Sequence, residues 1–190
     1  MSLSDVFKKI TPCDRQKPYI FISYSSNDKE LVWQDALEFQ RQGYNIWLDE
    51  KNIDKTKASW KEDALLAIQD MYCVLVVFYV SKSSLTSESC YNELAKTVDE
   101  LTVALHLGPV KFIAVDVDEV GNIVEFSRNL YQEIFSTEGL SKDAKSKMML
   151  TMHKFMKEFF DSNNEKVRIH PKNEPNRKMN YYEEIMAAFP

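Results

Sequence analysis

Apolar and polar positions along the first two-thirds of the chain follow two alternating rhythms. Short runs rich in β-branched and aromatic residues are separated by segments whose apolar residues recur every three or four positions. Tyr19-Ile-Phe-Ile-Ser-Tyr24 reads as a first strand, entered through Pro18. From Asp28 to Gln42, the residues Val32, Trp33, Ala36, Leu37 and Phe39 fall at helical spacing, and Gly43 ends that helix. Tyr44 to Leu48 reads as a second strand, and the polar segment Asp49 to Ala58 as a loop. Ser59-Trp60-Lys61-Glu62 has the capping-box pattern S-x-x-E, so a helix is expected to start there, with Trp60, Ala64, Ile68 and Met71 along one stripe.

Tyr72 to Val80 is apolar at every position, the pattern of a central strand covered by helices on both faces. Ser81-Lys82-Ser83-Ser84 reads as a polar loop, and the helix after it carries Leu94, Val98, Leu101 and Leu105 at i, i+4, i+7 and i+11. Lys111 to Val117 is expected as a fourth strand. After Asp118 the regularity fades. Met148, Met152, Phe155, Met156 and Phe159 form an amphipathic helical stripe read as core packing, Val167 to His170 reads as a short edge strand, and Tyr181, Tyr182, Ile185, Met186 and Phe189 line a closing helix. Strands separated by helices pair in parallel through right-handed crossovers. The expected architecture is therefore α/β: a flavodoxin-like, doubly wound parallel sheet of five strands in the order 2-1-3-4-5, with a helical excursion before the last strand. Residues 1–190 read as a single domain, with a core over 18–117, a helical elaboration over 118–165, and the last strand and closing helix over 166–190.

Composition narrows the function classes. A chain of 190 residues suits one domain and can bury roughly 70% of the surface its unfolded form exposes. Apolar residues at 44% and charged residues at 28% give the balance of a globular protein. Gly43, Gly108, Gly121 and Gly139 lie too far apart to form a glycine-rich phosphate cradle, which excludes a P-loop and the GxGxxG dinucleotide fingerprint. The net charge of −5 gives no general attraction to nucleic-acid phosphates, so no nucleic acid is expected as a partner. The longest apolar run, Met71 to Val80, has about half the length of a membrane span, and the opening MSLSDVFKKITPCDRQK carries no apolar stretch of the secretory kind, so no membrane is expected either. Cys13, Cys73 and Cys90 are odd in number and not spaced for a metal, and read as reduced thiols of a cytoplasmic protein. His106, His153 and His170 are too scattered for a metal site, so no metal is expected.

A ligand on such a sheet sits outside the carboxyl ends of the strands, at the switch point between the first and third strands. The loops there are Ser25-Ser26-Asn27-Asp28 and Ser81 to Ser89. The first opens a helix whose free amides suit a phosphate, and the same residues equally serve as plain caps. In the helix after the second loop, Cys90 falls at i−4 from Leu94 on the core stripe, a small buried residue rather than a nucleophile. Glu93 lies about 100° around the helix from Leu94, where a carboxylate is either solvated or turned into the crevice.

Several boxes of this chain, in order, resemble those of Toll/interleukin-1 receptor (TIR) domains. Phe21-Ile-Ser-Tyr-Ser-Ser-Asn-Asp28 is similar to the opening box, and Gly43-Tyr-Asn-Ile-Trp-Leu-Asp49 to the second strand, which ends in an acidic residue before the BB loop. Trp60 to Met71 and Val74 to Ser83 look like the second helix and third strand. Ser84 to Leu94, with Cys-x-x-Glu-Leu at Cys90 to Leu94, looks like the box that supplies the catalytic glutamate of NAD-cleaving members. The resemblance covers roughly residues 18–117. Ser89 departs from the Trp often found before that Cys in bacterial enzymes, and the stretch after Asp118 matches no box.

The resemblance implies cleavage of the nicotinamide–ribose bond, with NAD+ as substrate and no cofactor. Glu93 is then the catalytic residue, and Ser25, Ser26, Asn27, Asp49, Trp47, Trp60 and Ser83 are the implied substrate-binding residues. For Trp47 and Trp60, core packing is the competing role. The BB loop, 49–59, implies self-association and contact with other TIR domains. A TIR domain with no attached module resembles bacterial stand-alone members, including the sensors of Thoeris antiphage systems, which implies a cyclic ADP-ribose isomer, or plain ADP-ribose, as a defence signal. The competing readings are a non-catalytic TIR scaffold and a nucleoside deoxyribosyltransferase-like enzyme with Glu93 as covalent nucleophile. A phosphate-accepting receiver domain needs an Asp at the end of the third strand, where the chain has Phe78-Tyr-Val-Ser81.

Overall fold

The computed structural model describes residues 2–54, 56, 58–100 and 111–118, with 125, 126, 129, 132, 141 and 167–169; for 60, 61, 88, 91, 98–100 and 167–169 the description is of the backbone. The chain opens with α1 (Leu3–Lys9), which sequence reasoning passes over, followed by β1 (Tyr19–Ser23). A 3-10 turn at Ser26–Asp28 leads into α2 (Lys29–Arg41), then β2 (Ile46–Trp47), α3 (Asp49–Asn52) and α4 (Trp60–Gln69). After these come β3 (Cys73–Val80), α5 (Lys82–Leu85), α6 (Glu88–Glu100) and β4 (Lys111–Asp116).

The strands pair in parallel in the order β2-β1-β3-β4. β3 is buried at all eight positions, as a strand between two helical layers must be. One face carries Phe21, Trp47, Val76, Phe78 and Phe112 against Ala64, Ala67, Ile68, Cys90 and Leu94 of α4 and α6. The other carries Ile20, Ile22, Val77, Tyr79 and Ile113 against Val32, Trp33, Ala36 and Phe39 of α2, with Val6 and Ile10 at its margin. The expected edge strand Val167 to His170 overlaps a backbone segment β5 (Val167–Ile169) that runs parallel to β4, Val167 opposite Ala114. The helical stripe of 148–159 and the closing helix lie outside the described residues.

Several local features differ from expectation, and β2 covers only Ile46–Trp47 of the expected Tyr44 to Leu48. Asp49–Asn52 is a helical turn rather than loop, closed by Lys51 and Asn52 amides donating to the Leu48 carbonyl, while Asn52 Oδ1 accepts from the Leu48 amide. Lys82–Leu85 is also helical, because Ser81 and Ser84 cap each other reciprocally: Ser81 Oγ accepts from the Ser84 amide at 3.0 Å and Ser84 Oγ from the Ser81 amide at 2.8 Å. The expected capping box at Ser59 does not form. The helix starts there, but Ser59 has φ −86° and ψ 8° rather than the extended backbone that aims a capping hydroxyl. α4 stops at Gln69, so Met71 leaves the stripe and is exposed.

Candidate functional site

A cleft of about 160 Å³ opens at the carboxyl end of β1, lined by Tyr24, Ser25, Ser26, Asp49, Ser87, Ser89 and Glu93, with Ile22 and Ala64 at its apolar floor and wall. Alternation along β1 puts Tyr19, Phe21 and Ser23 on the α4–α6 side of the sheet, so the strand's last residue presents a hydroxyl to that layer. Ser23 Oγ donates to Glu93 Oε2 at 2.5 Å. Glu93 reaches it because α6 buries Cys90, Leu94 and Thr97 at i, i+4 and i+7, leaving Glu93 half-buried beside that stripe. Ser87 Oγ accepts from the Cys90 amide at 3.3 Å, capping α6 and fixing the cleft's far side.

The opposite wall is the start of α3. Tyr24 Oη donates to Asp49 Oδ1 at 3.1 Å and also contacts Glu50 Oε2 closely. Trp33 Nε1 donates to Tyr24 Oη at 3.1 Å and to Glu50 Oε2 at 3.2 Å. The lining thus presents two carboxylates, several hydroxyls and a phenol, with no basic side chain among the described lining residues. Such a wall favours a cationic electrophile over an anionic one.

The implied site residues distribute unevenly. Glu93, Ser25, Ser26 and Asp49 line the cleft together. Asn27 and Ser83 stand outside that lining, where Asn27 Nδ2 donates to Ser83 Oγ at 3.0 Å and ties the two switch-point loops to each other. Asp28 and Ser81 add a second tie, Ser81 Oγ donating to Asp28 Oδ2 at 2.5 Å. Ser25 serves as the cap of the 3-10 turn, accepting from the Asn27 amide at 3.4 Å. Trp47 takes the core role left open above: it is 2% exposed and stacks on Phe21 with ring centroids 4.4 Å apart and planes 14° apart. Trp60 opens α4, and its side chain lies outside the description.

Cys90 is buried, and burial followed by the nearby Glu93 charge pushes its thiol up to about 12, which leaves it protonated and unreactive. Sequence reasoning passes over Ser23 and Tyr24. For Ser23 a signal exists, the period-two step from Tyr19 and Phe21; for Tyr24 the partners are 25 and 26 residues away and no local pattern announces them. Among the described residues no group of His, Cys, Asp and Glu is arranged to hold a metal ion, and no helix is long and apolar enough to cross a membrane.

Compared with known families, the model described as TIR domain matches residues 20–146, a span that contains β1 from its second residue on, β2 to β4 and the whole cleft lining. No curated protein matches the chain.

Proposed function

The chain belongs to the TIR domain family, and on that premise we propose that it cleaves the nicotinamide–ribose bond of NAD+ with Glu93 as the catalytic carboxylate. The family contains both NAD-cleaving enzymes and scaffolds. The observation that carries the enzymatic reading is the Glu93 carboxylate, held by Ser23 in a cleft whose described lining pairs it with Asp49 and no cation.

Nicotinamide departs from a cationic pyridinium as a neutral molecule. The C1′–N bond breaks with its electron pair on nitrogen, so the leaving group needs no proton. What remains is an oxocarbenium-like ribose, and a carboxylate beside it stabilises the developing charge. Ser23 holds one oxygen of that carboxylate and so fixes its aim. Ser25 and Ser26 are the residues of this reading that approach the phosphates. Water capture yields ADP-ribose and a proton; capture by a hydroxyl or ring nitrogen of the same molecule yields a cyclic isomer, likewise with loss of a proton, and we favour that isomer as a signal in bacterial antiviral defence. The same reading takes residues 1–190 as one cytoplasmic TIR domain with the full strand order 2-1-3-4-5, assembling through 49–59 so that one copy covers the pocket of the next.

Incubation with NAD+ at high protein concentration, followed by chromatography for nicotinamide, tests the proposal. Wild type should release nicotinamide, and Glu93→Gln should do so about 10²-fold more slowly. No release by wild type under assembling conditions leaves the scaffold reading. A ribosylated Glu93 that transfers to a free base favours the deoxyribosyltransferase-like one.

A further inference from the structure

α1 touches none of the cleft, yet it is connected to the cleft wall by a short chain of side chains. Its apolar residues Leu3, Val6 and Phe7 recur at i, i+3 and i+4, with Ile10 just past its end; Val6 and Ile10 are buried, and Leu3 and Phe7 pack on the cluster that contains Trp33. The Phe7 ring stacks on Trp33 with centroids 4.4 Å apart and planes at 30°. Lys51 Nζ, from α3, stands 3.8 Å from the centroid of the Phe7 ring, well within cation–π range. The edge of the same Trp33 donates to Tyr24 and Glu50.

Three successive residues of α3 are therefore gripped from outside. Asp49 and Glu50 are held through Tyr24 and Trp33, and Lys51 through Phe7. A helix of four residues has almost no stability of its own, because its few hydrogen bonds do not offset the cost of nucleation. External contacts decide where it sits, and Asp49 and Tyr24, which it carries or holds, form one side of the cleft.

We propose that Phe7 and Lys51 are positioning residues for the cleft: through them α1 holds α3, and α3 sets where Asp49 and Tyr24 stand opposite Glu93. The proposal rests on the reading of this cleft as the NAD+ site. It gives a role to an amphipathic N-terminal helix that lies outside the family match, which starts at residue 20, and packs on the cluster containing Trp33.

The test uses the full chain and three variants. Lys51→Met keeps the aliphatic stem and removes the cation, Lys51→Arg keeps the cation, and Phe7→Leu keeps apolar burial and removes the ring. Hydrogen exchange is read at the amides of residues 51–53, which donate to Leu48 and Asp49; KM and kcat for NAD+ are read alongside. Lys51→Met and Phe7→Leu should each raise exchange at 51–53 by about threefold or more and leave the β3 amides unchanged. Both should raise KM more than they lower kcat, the double variant should be no worse than either single one, and Lys51→Arg should behave as wild type. Unchanged exchange at 51–53 in both Lys51→Met and Phe7→Leu overturns the proposal, as does Lys51→Arg being as impaired as Lys51→Met. If wild type releases no nicotinamide, the NAD+ reading fails by itself, and exchange still decides whether α1 holds α3.

Discussion

Three residues apart on one helix, Cys90 and Glu93 meet opposite surroundings. Cys90 points into the packed layer between α6 and the sheet, 2% exposed, while Glu93 turns to the Ser23 hydroxyl at the strand end. The thiol consequently keeps its proton up to about pH 12 in the folded chain, against an ordinary value of 9.0. The sign of the effect on stability follows. Above about pH 9 the unfolded chain gives up a proton that the folded chain retains, so unfolding gains as pH rises, by up to about 1.4 kcal/mol per pH unit. Urea unfolding of wild type and Cys90→Ala at about pH 8.5 and about pH 10.5 should show wild type losing more stability across the interval. Equal losses in the two proteins would show that the buried thiol contributes nothing to the dependence. The core role of Cys90 and the position of Glu93 beside the stripe are both legible from helical periodicity, since each depends only on neighbours within one helix. The Tyr24, Asp49, Glu50 and Trp33 cluster is not, because it forms only when α3 approaches α2 in the folded chain.

At the scale of elements, the sequence carries its clearest signals where a period runs for two turns or more. β1, β3, β4, α2 and α4 lie where alternation or helical spacing predicts them, as does α6 over Glu88–Glu100, while Leu101 and Leu105 of its expected stripe lie outside the described residues. α3 and α5 are not so predicted, since four residues hold barely one turn and their start depends on cap geometry: Ser81 before α5 is extended at φ −144° and ψ 169° and caps it, while Leu48 before α3 brings no capping side chain. α1 escapes for a related reason, as its stripe of Leu3, Val6 and Phe7 is present but spans little more than one turn. The end of α2 is the best-announced boundary. Gly43 has φ +93°, its amide donates to Gln40 O at 3.0 Å, and the Tyr44 amide donates to Phe39 O at 3.0 Å, which together make a Schellman stop. A Cβ at Gly43 would meet nothing within 4 Å, so substitution costs backbone strain alone. Gly43→Ala should lower stability by about 1 kcal/mol with α2 and the cleft intact, and Gly43→Asn by less. Chemical denaturation of the two variants checks this; a Gly43→Ala protein as stable as wild type would mean the stop is not set by the left-handed residue.

The whole molecule is organised around β3, whose two faces feed separate apolar clusters and whose carboxyl end is cross-tied to that of β1. Asn27 to Ser83 and Ser81 to Asp28 join the two switch-point loops, and the Lys82 amide donates to Asp118 Oδ2 at 2.9 Å to bring in the end of β4. The cleft therefore opens on a braced rim, with α3 as the part of its wall held chiefly by side-chain contacts. TIR domains typically associate with one another, and in the reading proposed above association completes the site. Each copy carries a net charge of −5, so two copies repel at long range and must come within a screening length before short-range contacts act. That length falls from about 30 Å at ~10 mM salt to about 10 Å at ~100 mM. Nicotinamide released per mole of protein should therefore rise with protein concentration between ~1 and ~50 μM, and the rise should set in at lower concentration in the higher salt. Static light scattering on the same samples should show mass increasing over the same range. Specific activity that stays flat with concentration at both salts, alongside a constant monomer mass, would mean that one copy holds the complete site and that 49–59 serves its own cleft rather than a neighbour's.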